Sequence, residues 1–133
     1  MFAKTLPHLT SASTTLFEKY GGMPTMRIII GNLCTKILLR PNLTRYFEGL
    51  DLEELITHQI CFVGHLLGKT ALLDEQVNNL RRHHHHLGIT QHSYGQVAEI
   101  LREELIAAKF EHADVEIVMN IMYDHRKDIV TRR

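Results

Sequence analysis

The sequence has no charge of one sign to spare. Fifteen Lys and Arg offset fifteen Asp and Glu, so it lacks the basic field that holds a phosphate backbone through counterion release. No nucleic-acid partner is expected. It also lacks any apolar run near the ~20 residues of a membrane-spanning helix; the longest stretches are short, as at Ile28-Ile29-Ile30. Met1 to Pro7 show no apolar core followed by a small-residue cleavage site, and a cytoplasmic location without a membrane span is the expectation. Cysteine is scarce. Cys34 and Cys61 both lie in apolar segments, which reads as two reduced packing thiols and excludes a disulfide framework. No stretch alternates apolar and polar residues as a half-buried strand would, no internal repeat occurs, and no flavin or nicotinamide motif is present.

What is there is helical periodicity over 133 residues, enough for one domain with one core. Residues 1–13 read as an N-terminal lead-in and residues 14–133 as the domain. Thr15 and Glu18 fit a capping box that opens a short helix closed by Gly21-Gly22. Pro24 suits a first helical turn, and Met26, Ile30, Leu33 and Ile37 form a stripe up to Pro41, with Cys34 at its edge. Asp51 and Glu54 form a second capping signal for a helix ending near Leu67-Gly68. Leu73, Val77, Leu80, His84 and Leu87 then make one face ending at Gly88. Thr90 is expected to cap a long helix carrying Tyr94, Val97, Leu101, Leu105 and Ala108. Asp114 is expected to cap a last one with Val115, Val118, Met119, Met122 and Ile129 inward.

The abundant residue is histidine, with ten in all and four in succession from His83 to His86. Only His84 continues the Leu73, Val77, Leu80 stripe, so it should point inward. On the helix after Asp51, Leu52, Leu55, Phe62 and Leu66 share a face with Gln59 and, slightly rotated, His58. Buried polar groups need partners. An imidazole and an amide facing an inward imidazole on another helix either bond to nearby backbone or point at a ligand between the helices, and iron in a planar macrocycle would suit all three. His65 is expected to pack or to lie exposed, and His8, His92, His112 and His125 to lie on the surface.

These stretches resemble the truncated haemoglobins, the two-over-two globins, in their first group. The resemblance rests on Leu16-Phe17-Glu18-Lys19-Tyr20-Gly21-Gly22, Arg40-Pro41-Asn42-Leu43 with Tyr46-Phe47, and His58-Gln59 with Phe62. It continues with the histidine before Leu87-Gly88-Ile89-Thr90 and with Arg126-Lys127-Asp128-Ile129-Val130. It implies an all-α, single-domain truncated globin fold, a two-over-two helical sandwich around haem b, iron protoporphyrin IX. It implies His84 as the proximal iron ligand, with His83 the alternative because the interval after Gln59 is somewhat long. Phe47 would wedge against the haem and Leu55 and Gln59 would line the distal side. His58 stands where some relatives carry a sixth ligand. The cofactor-facing set is then Cys34, Phe47, Leu55, His58, Gln59, Phe62, Leu80, His84, Tyr94 and Met119.

Two departures stand out. Leu33-Cys34 replaces the usual Phe-Tyr, so the phenol that donates to the bound gas is missing, and Lys69-Thr70 follow Gly68 where the family repeats the glycine. The leading expectation is reversible binding of oxygen, carbon monoxide or nitric oxide. A nitric oxide dioxygenase or electron-transfer protein served by an external reductase is the alternative. A haem-free histidine-rich metal module is a further one, which helix geometry disfavours because consecutive residues point ~100° apart. A purely structural bundle would need His58 and Gln59 satisfied inside the core.

Overall fold

The computed structural model of the chain describes residues 14–69, 84 and 87–130. Leu73, Val77, Leu80, His83, His85, His86 and His8, on which part of the sequence reading falls, lie outside them. Thr15 caps α1 (Leu16–Lys19) through the reciprocal bonds of a capping box with Glu18. The turn after α1 demands glycine. Gly21 takes φ +110°, and a Cβ there would lie 2.5 Å from Thr25 Oγ1. The chain then enters α2 (Met23–Leu38) with Pro24 in its first turn, followed by α3 (Pro41–Thr44) and a 3₁₀ turn (Arg45–Phe47).

Asp51 and Glu54 form the second capping box, and α4 (Leu52–Leu66) follows. Thr90 accepts from the Ser93 amide to open α5 (Gln91–Ala107). The last two helices are α6 (His112–Asp124) and α7 (Arg126–Ile129). Among the described residues there is no β-strand element, and no helix is long and apolar enough to cross a membrane.

The long helices form two layers. α2 packs on both α4 and α5, α5 packs on α6, and α4 meets α6. The stripe expected on α2 is the centre of the core: Met26, Ile30, Leu33 and Ile37 are buried together with Ile29 and Cys34. Leu101 and Leu105 of α5 and Val115, Val118 and Met119 of α6 complete it.

Several expectations need correction. Cys61 is exposed, because it lies on the flank of α4 turned away from the Leu55, Phe62, Leu66 face. Leu52 stays half exposed in the first turn of that helix. Asp114 does not cap α6. The cap is Glu111, one turn earlier, and Asp114 instead accepts from Lys19 Nζ at 2.7 Å and from the Tyr20 hydroxyl. Ile129 faces inward from a separate helix, because the chain turns at His125. His125 itself is no surface residue: its side chain is 15% exposed and packs among Phe62, His65 and Asp128. His92 and His112 are exposed, as read from the sequence.

Candidate cofactor site

One cavity collects most of the residues singled out by the sequence. It is a cavity of about 90 Å³ that opens toward solvent. The 3₁₀ turn brings Tyr46 and Phe47 to it, α4 brings His58, Gln59 and Phe62, and α5 brings Ser93, Tyr94 and Val97. His84, 8% exposed, enters from the segment before α5. Met122 and Ile129 close the side formed by α6 and α7.

Inside it the rings of His58 and His84 lie with centroids 5.7 Å apart and planes tilted by 49°. The capping box at Asp51 sets the start of α4 and hence the rotation that turns His58 and Gln59, beside Phe62, toward this space. Gly88, at φ +66°, makes the turn between His84 and the cap of α5 at Thr90. The wall is mainly apolar. Its polar groups are few: two imidazoles, the Gln59 amide and the hydroxyls of Tyr46, Ser93 and Tyr94.

Two tyrosines hold fixed bonds. Tyr94 is buried and donates to the carbonyl of Met122, tying α5 to α6, and burial pushes its phenol well above the ordinary range. At the opposite end Tyr46 donates to Ser93 Oγ at 3.2 Å and accepts from Arg45 at 3.2 Å. Burial raises the Tyr46 phenol, but its hydrogen bonds with Ser93, Arg45 and Thr90 and the Arg45 charge outweigh that, leaving it below its ordinary value.

Of the residues named from the sequence, Phe47, His58, Gln59, Phe62, His84 and Tyr94 line this cavity. Cys34, Leu55 and Met119 are buried in the core and are not among its lining residues. Leu80 lies outside the described residues. On α6 it is Met122, not Met119, that reaches the cavity, because the two point to different sides of the helix. The cofactor-facing set from the sequence did not include Leu43, Tyr46, Leu50, Leu87, Ile89, Ser93, Val97, Met122 and Ile129, which also line the cavity. Of these Leu87, Val97, Met122 and Ile129 carried the signal of helical periodicity, and Ser93 that of standing next to Tyr94, two residues after the start of α5.

Comparison with known proteins agrees with this architecture. A profile of the bacterial-like globin family matches residues 15–131. The group 1 truncated hemoglobin GlbN of Mycolicibacterium paratuberculosis is 25% identical over 121 residues, covering 88% of this chain and 85% of the relative. The truncated hemoglobin of Tetrahymena pyriformis in its Fe(III) form superposes with TM-score 0.75 at 20% identity, covering 88% of this chain and 98% of that one. The 2/2 hemoglobin of Synechococcus, solved in the cyanomet state with covalently attached heme, gives TM-score 0.72 at 22% identity, covering 90% and 100%. The chain therefore belongs to the bacterial-like globin family, and its fold is that of the truncated, two-over-two haemoglobins.

Proposed function

We propose that this globin binds haem b in the cavity between His84 and the α4 face, and there takes up oxygen, carbon monoxide or nitric oxide reversibly. Family membership supports the cofactor. The observation that carries the reading is the meeting of two imidazoles inside one mainly apolar cavity. The rings stand 5.7 Å apart and tilted by 49°, so both imidazoles would be within reach of one group seated in the cavity.

Haem supplies reversible gas binding at ferrous iron, tuned by its axial ligands and by donors nearby. The residues divide that work. His84 would hold the iron, and Phe47 and Val97 are part of the apolar wall that would keep water from the macrocycle. His58 would be the second imidazole to hold the iron and, tethered at high effective concentration, would lower the apparent affinity for a gas. The Gln59 amide, one residue on, can donate to the gas. Cys34 takes no part in that, being a weak donor placed in the core. The proposed setting is the cytoplasm; an external reductase belongs only to the alternative reading of a nitric oxide dioxygenase or electron-transfer protein.

The test is the absorption spectrum of the haem-reconstituted protein beside His58→Ala and His84→Ala. The reading expects sharp, split visible bands in the ferrous state, a broad five-coordinate spectrum in His58→Ala, and loss of stable haem uptake in His84→Ala. A wild-type protein that takes up no haem would sink it. A split spectrum that survives in His58→Ala would remove His58 as the ligand.

A further inference from the structure

We propose that His65, His125 and Asp128 form a proton-dependent latch that fastens the wall of the cavity. It does not depend on what the cavity holds. His65 lies in the last turn of α4 and His125 at the corner between α6 and α7, 60 residues later in sequence, yet their Nε2 atoms meet at 3.0 Å. Behind His125, its Nδ1 stands 3.2 Å from Asp128 Oδ2, and Asp128 is 2% exposed. The His125 ring also lies edge-on to Phe62, centroids 5.7 Å apart. Phe62 and Ile129, the residue after Asp128, both line the cavity. The string thus joins the two sides of that wall.

Proton counting gives the string its sensitivity. With Asp128 ionised, His125 Nδ1–H donates to the carboxylate, leaving His125 Nε2 to accept from His65 Nε2–H. One added proton is tolerated, because a single N–H can still lie between the two Nε2 atoms whichever ring is charged. A second proton is not. Both Nε2 atoms would then carry hydrogens, two donors and two positive charges facing each other at 3.0 Å. Acidification should therefore part α4 from the α6–α7 corner. Other charged or titratable groups near the string, among the described residues, hold bonds of their own or lie exposed. Tyr94 of α5 is committed to the Met122 carbonyl, Arg126 donates to the Tyr123 carbonyl, and Asp124 and Lys127 are exposed.

The latch predicts a pattern of amide hydrogen exchange in the intact protein at about pH 8 and about pH 5, the interval in which imidazoles ordinarily change charge. After correction for the intrinsic rate, amides of residues 126–130 should lose about tenfold in protection at the lower pH, the loss of one hydrogen bond. His65→Gln keeps a neutral donor and acceptor at the same place, so its protection should stay nearly constant across the interval. His65→Leu should show the low protection at both pH values. Amides in the middle of α2 act as the control and should not respond. If wild type and His65→Gln respond equally, or if residues 126–130 respond no more than α2, the latch is overturned.

Discussion

A thiol sealed in a core and a thiol in water are different reagents, and this chain carries one of each. Cys34 is fully buried, and burial pushes its thiol up to about 11 from an ordinary 9.0. Cys61 is exposed. A thiolate-seeking alkylating agent at neutral pH should modify Cys61 rapidly and Cys34 only on unfolding, which mass spectrometry of the peptides reads directly. The raised Cys34 value also fixes a sign. The thiol supports the fold fully below about pH 9, where it is neutral in both states. That support is lost as pH rises from about 9 toward about 11, because the unfolded chain ionises first. Cys34→Ala should be less stable at neutral pH yet lose less stability across that alkaline interval, as denaturant titrations at several pH values would show. Equal alkaline losses would contradict the placement of the thiol. The sequence put Cys34 on the edge of an apolar stripe and so inside, but it could not separate Cys61, whose neighbours are equally apolar. What separates them is the rotation of α4 against α2, a tertiary fact.

Helix beginnings were legible where the cap is a local bond, and illegible where it comes from elsewhere in the chain. Thr15, Asp51 and Thr90 each accept from an amide three residues on, so sequence spacing finds them. The start of α6 is different. The amide of Glu111 donates to the hydroxyl of Tyr20, whose ring stacks on Phe110 at 3.7 Å, and Tyr20 in turn donates to Asp114. A residue 91 positions away supplies the bond, so Asp114 looked like the cap when it is the anchor for Lys19 and Tyr20. Asp114→Ala should accordingly unfasten α1 from α6 and cost about 1–3 kcal/mol, the range for losing hydrogen bonds to a charged group. The Lys19 ammonium, then the Tyr20 hydroxyl, hold the Asp114 carboxyl below its ordinary 3.8. Its contribution is therefore complete above about pH 4 and is lost as the pH falls through the depressed value. Thermal melts of wild type and Asp114→Ala should converge as the solution is acidified below that point. A difference that persisted unchanged would mean that the carboxylate charge is not what matters. The corner at His125 was hidden for another reason: Val118, Met122 and Ile129 keep a helical spacing straight through it, and periodicity does not register a turn that preserves phase.

Across the whole molecule, the central stripe of the core and the cavity draw on different residues, although Phe62, Tyr94, Met122 and Ile129 belong to both core and cavity. Met26, Ile30, Leu33, Leu101, Leu105 and Val118 are buried and do not line the cavity, so the packing of α2, α5 and α6 does not need a ligand. The cavity is instead walled by the 3₁₀ turn, by α4, by His84, by the first turns of α5 and by the corner between α6 and α7, parts of the chain far apart in sequence. A haem seated there would touch all of them at once. Binding to the folded state alone stabilises it by about 4 kcal/mol when free ligand stands at ~1,000 times the dissociation constant, enough to raise the melting temperature by about 10 °C or more in a chain of this size. The gain should be uneven. Amide protection on haem addition should rise most over residues 46–62 and 122–129, which form the walls, and least over the buried stripe of α2, already closed without a ligand. His84→Ala should lose most of that gain while melting near the wild type in the absence of haem, because its ring belongs to the cavity and not to the α2 core. Equal protection everywhere would mean that the whole fold waits on the cofactor. No change at all would mean that the cavity is not where haem binds.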